Sequence, residues 1–257
     1  MTEARVRPGA KEIYESVRRD AAEELARPVT ALAFSGVFAG ATLGFSGLAA
    51  AGAAALAGSA ASGHLIGAVF YPIGFVAAIV GRAQLFTETT LYPVTLVLDQ
   101  RRHLGATARL WVVVFCANVI GALAFATLAV KSGAVPPDIV RHLTSLGRQM
   151  AAGQWTAKFW SGVVAGWLLA LVAWTIEASE HVIGQIALIW GLTFLIGLGS
   201  FDHCVSTTSE VLSAVISGSV PAGHFLAWLS AVTLGNILGG VAIVGLLNYG
   251  QVRAGKD

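Results

Sequence analysis

The chain has 257 residues, 56% of them apolar before its 30 glycines are counted, and only 12% charged. Soluble domains carry roughly 25% charged residues. With a mean hydropathy of +0.73, the composition excludes a disordered chain, a disulfide scaffold and a water-soluble enzyme, and leaves a polytopic membrane protein. The 16 basic and 14 acidic residues nearly cancel, so the net charge gives no sign of a nucleic-acid partner.

Residues 1–28 form a polar amino-terminal region holding Arg5, Arg7, Lys11, Arg18, Arg19 and Arg27. From Lys11 to Arg27 these charges alternate with Ile13, Tyr14, Val17, Ala21, Ala22 and Leu25, which predicts an amphipathic helix lying at the membrane surface. The first apolar run is too late and too long for a signal peptide. Residues 29–249 then read as one six-span domain, and residues 250–257 as a short tail.

The expected spans are Val29–Leu56, Leu65–Gly81, Leu110–Val130, Phe159–Ile176, Ile183–Ser200 and Phe225–Tyr249. A small-residue turn, Gly58 to Gly63, follows the first, and a polar connection, Lys131 to Lys158 with Pro136-Pro137, follows the third. The second span runs into Arg82, Gln84, Thr87 and Glu88 before hydrophobicity resumes at Leu91–Leu98; the fifth is interrupted at Asp202 and His203 before Val211–Ile216. Basic residues of the amino terminus, of Arg101, Arg102 and Arg109, and of Arg253 and Lys256 outnumber Lys131, Arg141, Arg148 and Lys158 on the other face by eleven to four. That bias places both termini in the cytoplasm.

Ala117-Asn118-Val119-Ile120-Gly121 in the third span is echoed by Gly235-Asn236-Ile237-Leu238-Gly239 in the sixth. Phe86 precedes Asn118, and Phe201 precedes Asn236, by similar intervals. Three spans per half make the second half inverted relative to the first, and a broken helix in each half points to a transport site near the bilayer midplane.

Thr207-Thr208-Ser209-Glu210 has capping-box spacing, with Thr207 as N-cap, and Thr87 or Thr89 stands similarly before Leu91–Leu98. Half-helices beginning at mid-membrane would turn free N–H groups toward a small anion. No His, Cys and carboxylate cluster has ligand spacing, so no metal or other cofactor is expected. His203 is the only histidine expected within the membrane; it is either a packed residue holding the break or a functional imidazole. Asp202 is either its tautomer-fixing partner or a vestibule carboxylate. Arg82 and Glu88 are expected to pair with each other, because an isolated charge at that depth is costly. Leu85 and Phe86 form an apolar constriction or pack ordinarily. Gly36, Gly40 and Gly44, Gly162 and Gly166, and Gly235 and Gly239 mark close helix contacts.

Leu85-Phe86-Thr87, Phe201-Asp202-His203 and Gly235-Asn236-Ile237-Leu238-Gly239-Gly240, in this order and spacing over residues 10–249, resemble the formate/nitrite transporter family. The resemblance implies an aquaporin-like protomer in a homopentamer of a bacterial inner membrane, passing small weak-acid anions such as formate or nitrite together with protons. It gives Thr87 the first-loop threonine's role, His203 the central pore histidine's, Asp202 that of a usual glutamate, and Lys158, loosely, that of a vestibule lysine. Gln84 stands where the family commonly has an acid, and Thr207 and Ala170 stand where it often has asparagine. The expected mechanism is attraction of the anion by the half-helix ends and Lys158. Proton transfer from or through His203 then yields the neutral acid, which crosses the Leu85/Phe86 constriction while Thr87 hydrogen-bonds both substrate and ring. Two rivals are weaker. A neutral-solute channel of the aquaporin type requires Asn-Pro-Ala, which does not occur. An intramembrane serine protease built on Gly44-Phe45-Ser46-Gly47 requires a base beside Ser46.

Overall fold

The structure, a computed structural model, describes residues 8–57, 59–91, 94, 96–97 and 103–254. Among these the chain forms helices and connecting turns without a strand: α1 (Ala10–Ala26), α2 (Val29–Leu56), α3 (Ala60–Phe70), α4 (Ile73–Val80), α5 (Phe86–Thr89), α6 (Leu104–Lys131), α7 (Pro137–Ala151), α8 (Trp155–Ile176), α9 (Val182–Gly199), α10 (Ser206–Ile216), α11 (Ala222–Leu238), a π-helical stretch over Gly239–Leu246, and α12 (Leu247–Ala254). Six segments are long and apolar enough to span a membrane: α2, α3 with α4, α6, α8, α9, and α11 through α12.

Two helix pairs form the frame, and glycines set how close they come. A Cβ on Gly40 would lie 2.0 Å from the Asn118 carbonyl oxygen, and one on Gly121 2.1 Å from that of Val37, so α2 and α6 touch backbone to backbone. Gly166 against Asn236 (2.2 Å) and Gly239 against Val163 (2.1 Å) do the same for α8 against α11 and the π-helical stretch that continues it. Close approach through small residues is how apolar helices gain contact where lipid removes the usual hydrophobic drive.

The remaining elements differ from the sequence reading in instructive ways. The second span begins at Ala60, not Leu65, because the Ser59 hydroxyl accepts from the Ser62 N–H and starts the helix inside the expected turn. That span kinks at Pro72, which lacks the amide needed to continue the helical ladder. The connection from Lys131 to Lys158 is not simply polar loop: Pro137 opens α7, whose Leu143 and Gly147 are buried. Helix α1 forms as expected, but Ile13, Tyr14, Val17, Ala21 and Leu25 are buried on the bundle rather than left for lipid. The expected carboxy-terminal tail is helical through Ala254, with the Tyr249 ring 6.2 Å from that of Tyr14. Half of the expected half-helix Leu91–Leu98, and Arg5, Arg7, Arg101, Arg102 and Lys256, lie outside the described residues.

Candidate functional site: two pinned breaks and a central donor pair

Helical geometry stops after Val80 and again after Gly199, and one buried asparagine holds each break. The Asn118 Oδ1 accepts from the Phe86 N–H at 2.9 Å, while its Nδ2 donates to the carbonyls of Gly36 (2.8 Å) and Gln84 (2.9 Å). Asn236 repeats this arrangement: Oδ1 accepts from the Cys204 N–H at 2.9 Å, and Nδ2 donates to Gly162 (2.8 Å) and Asp202 (3.2 Å). The interval from amide to asparagine is 32 residues in both. Cys204, and not Phe201, is therefore the counterpart of Phe86. Irregular backbone at membrane depth must find such internal partners.

The pinned loops bring Thr87 and His203 together. Both are fully buried, and Thr87 Oγ1 lies 2.8 Å from His203 Nε2. The tautomer follows from the other ring nitrogen. Nδ1 receives the Ser206 N–H at 3.1 Å, and an N–H can meet only a lone pair. The neutral ring therefore carries its proton on Nε2 and donates it to Thr87 Oγ1. The Ser206 hydroxyl also faces Nδ1 (3.1 Å) and lies 2.7 Å from the Tyr71 hydroxyl. Among the described residues, Thr87 Oγ1 has no other hydrogen-bond partner. Its own O–H is thus an unused donor in a buried, largely apolar setting, with the Phe75 ring edge-on to the imidazole at 5.3 Å.

This pair joins loops that face two separate cavities. One, of about 450 Å³ on the α7 side, is lined by Tyr71, His64, His142, Ile196, Phe201 and Glu210. The other, of about 490 Å³ on the α1 side, is lined by Leu85, Glu88, Gln84, Arg82, Glu24 and Glu177 among others. At that α1-side mouth, burial pushes the carboxyls of Asp20, Glu24 and Glu177 above the ordinary carboxylate range.

Several expected roles change. Arg82 does not pair with Glu88; its backbone is left-handed (φ 56°), its side chain is exposed, and its guanidinium lies 3.8 Å from Asp20 of α1. Glu88 is buried instead, on the α1-side cavity. Leu85 lines that cavity, but the Phe86 ring turns away onto Trp111 (6.1 Å) and Phe115 (5.0 Å). Asp202 does not touch the imidazole: its carboxylate takes the Trp228 indole N–H (2.9 Å) and the Lys158 ammonium (3.3 Å). Lys158 lines a further cavity of about 380 Å³ beside Arg148 and His224, not the one holding Tyr71.

Thr207 is not an N-cap. Helix α10 starts at Ser206, and the Thr207 hydroxyl reaches back to accept from the His203 N–H at 3.1 Å. The amides at that helix start are also occupied, by Asn236, His203 Nδ1 and the His203 carbonyl, so they are not free for an anion. Ser46 is buried without a hydrogen-bond partner, its oxygen against Gly74, so no base serves it. Tyr71 and Ser206 were invisible to the sequence reading, since neither belongs to a recognisable spacing.

The chain resembles known proteins both in sequence and in fold. A family model described as formate/nitrite transporter matches residues 11–250. The chain belongs to the formate/nitrite transporter family. It is 30% identical to the inner membrane protein YfdC of Escherichia coli, over 98% of this chain and 81% of that one. It is 31% identical to a probable formate transporter of Methanothermobacter thermautotrophicus over 72% and 73%. Among solved structures, an FNT family ion channel superposes with a TM-score of 0.85 at 20% identity, covering 93% of this chain and 98% of that one. A pentameric formate channel with formate bound superposes at 0.70 and 15% identity, covering 90% and 97%. Members of the formate/nitrite transporter family are transporters and channels, so the hydrolase reading falls with its missing base.

Proposed function

We propose that each protomer passes small monovalent anions of weak acids, formate or nitrite among them, between the two cavities, and that the Thr87–His203 pair supplies the hydrogen-bond donor in the dry stretch between. The observation that carries this reading is the Thr87 hydroxyl: a buried donor, polarised by an imidazole N–H, with its proton unclaimed by the protein. A bare anion pays heavily to leave water, and a hydrogen bond to an anion is stronger than one between neutral groups. The neutral ring matters as much. It offers a donor without a fixed positive charge, so the guest is held weakly enough to leave. Because the neutral acid crosses an apolar stretch far more easily than its anion, passage rises as pH falls.

The pentameric formate channel's fold and the shared family support a homopentamer with one pathway per protomer. The basic-residue bias supports both termini on the cytoplasmic face of a bacterial inner membrane, with α1 at the inner mouth. The paired Asn118 and Asn236 arrangements support two inverted halves.

Stopped-flow uptake of formate, nitrite and chloride into proteoliposomes, at two pH values, tests the proposal. Formate and nitrite enter faster at the lower pH, and His203→Asn and Thr87→Val each abolish most of the flux. Uptake indifferent to pH and to both substitutions would end this reading.

A further inference from the structure

The central pair can offer a hydrogen bond but is poorly built to supply a proton. His203 Nδ1 already receives the Ser206 N–H, so a second proton on the ring would set one donor against another, and the Thr87 hydroxyl is far too weak an acid to part with its own. We infer that the proton is handled by two carboxyls, Glu210 at the α7-side mouth and Glu88 at the α1-side mouth, each giving a proton to an arriving anion or taking it from a departing acid. This rests on the anion-passage reading above.

The geometry of the two groups is alike. Glu210 is 4% and Glu88 8% exposed, and each lines the cavity on its own side. Neither has a cation within ion-pair distance among the described residues. Glu210 lies against the bare backbone of Gly47, where a Cβ would come within 3.0 Å of its Oε1, and Gly147 packs on its carbonyl. No charged residue stands on the α2 face there; the titratable groups around it are His64 from α3, Tyr71 from the turn after it, His142 from α7, and Asp202, itself held by Lys158. Around Glu88 stand Asp20, Glu23 and Glu24 from α1, Arg27 just after it, Arg82 from the break, and Glu177 after α8. The nearest candidate cation, Arg82, is directed to Asp20.

A carboxyl is matched to this task. Passing its proton to a small carboxylate exchanges one buried negative oxygen pair for another, so desolvation weighs on both sides of the step. On entry from the α7 side, the O–H bond of Glu210 breaks and an O–H bond forms on the anion, leaving a Glu210 carboxylate and a neutral acid. Water in the cavity then restores the Glu210 proton. On exit the acid's O–H bond breaks as one forms on Glu88, which passes the proton to water of the α1-side cavity. One anion and one proton move together, with no oxidation or reduction.

The test uses the full-length protein in proteoliposomes of determined orientation, with an internal pH dye, a formate gradient and the pH of each side set independently. Wild type carries one proton per formate and responds to pH on both sides. Glu210→Gln slows the flux at least about tenfold, the low end of what proton transfer by a positioned group contributes, and loses its response to pH on the α7 side only. Glu88→Gln loses the α1-side response only, and Glu210→Asp and Glu88→Asp keep both responses. Gln variants with wild-type flux and both pH responses overturn the inference. So does a wild type that carries formate as net current without protons, a measurement that needs no variant to fold. A wild type inert to formate and nitrite at every pH refutes the passage reading itself, which is a different failure.

Discussion

Replacing Asn118 by alanine removes the pin of the first break and leaves the rest of α6 intact. The side chain is fully buried and makes three hydrogen bonds. The Gly36 carbonyl lies within α2 and keeps its helical partner, so two groups lose their only tie: the Phe86 N–H and the Gln84 carbonyl. An orphaned buried polar group costs about 1–3 kcal/mol, which gives about 2–6 kcal/mol for Asn118→Ala. At about 2–4 °C per kcal/mol for a chain of this size, the apparent melting temperature in detergent should fall by about 4–24 °C. Tryptophan fluorescence follows it, because Trp111 touches the same loop through its N–H to the Thr89 carbonyl (2.8 Å) and its contact with Phe86. Flux should fall further than stability, since the released loop no longer holds Thr87 within reach of His203. Asn248→Ala, which removes one hydrogen bond from a half-buried side chain, is the control and should shift melting by no more than a few degrees. If Asn118→Ala melts within about 2 °C of wild type and retains its flux, the pin has been given a role it does not have.

Two further predictions follow from the frame and from the α1-side mouth. Gly40→Ala and Gly166→Ala drive a methyl to within 2.0 and 2.2 Å of a facing carbonyl oxygen, so each should cost at least about 1–3 kcal/mol and lower the yield of folded protein on size exclusion; Gly105→Ala, with open space around it, should behave as wild type. At the mouth, the carboxyls of Asp20, Glu24 and Glu177 are raised by burial, so the folded state binds more protons than the unfolded one. Their stabilising effect is complete below the ordinary carboxylate range and fades as pH climbs through the raised values. Melting profiles from pH 4 to 8 should show Glu24→Gln gaining on wild type as pH rises, and a constant difference would contradict this.

What the sequence disclosed, and what it withheld, divides along physical lines. The glycine strips were legible because a missing Cβ at helical spacing on an apolar segment has few other uses, and the contacts of Gly40 and Gly166 bear that out. His203 and Thr87 stood out as polar groups in apolar surroundings. The repeat was matched on the wrong residue, Phe201, because the eye compares side chains. The element that recurs is a backbone amide, that of Phe86 and of Cys204, and no residue alphabet displays it. Helix α7 was hidden by Pro136-Pro137, which read as a break although proline suits the first turn of a helix. Its Ile139, Leu143, Leu146 and Met150 carried the periodicity that would have revealed it. Glu210 was assigned to a cap from local spacing, whereas its neighbours Gly47 and Gly147 come from distant parts of the chain. Arg82 and Glu88 looked like partners by proximity in sequence, but the left-handed backbone at Arg82 sends the two apart.

Each asparagine pin draws its partners from one half of the chain: Gly36, Gln84 and Phe86 for Asn118, and Gly162, Asp202 and Cys204 for Asn236. Either half can therefore shape its own loop, yet the threonine comes from one and the imidazole from the other. Two like arrangements of hydrogen bonds thus hold two unlike side chains. Residues facing each other across the midline are free to diverge, provided the latch behind each one stays the same.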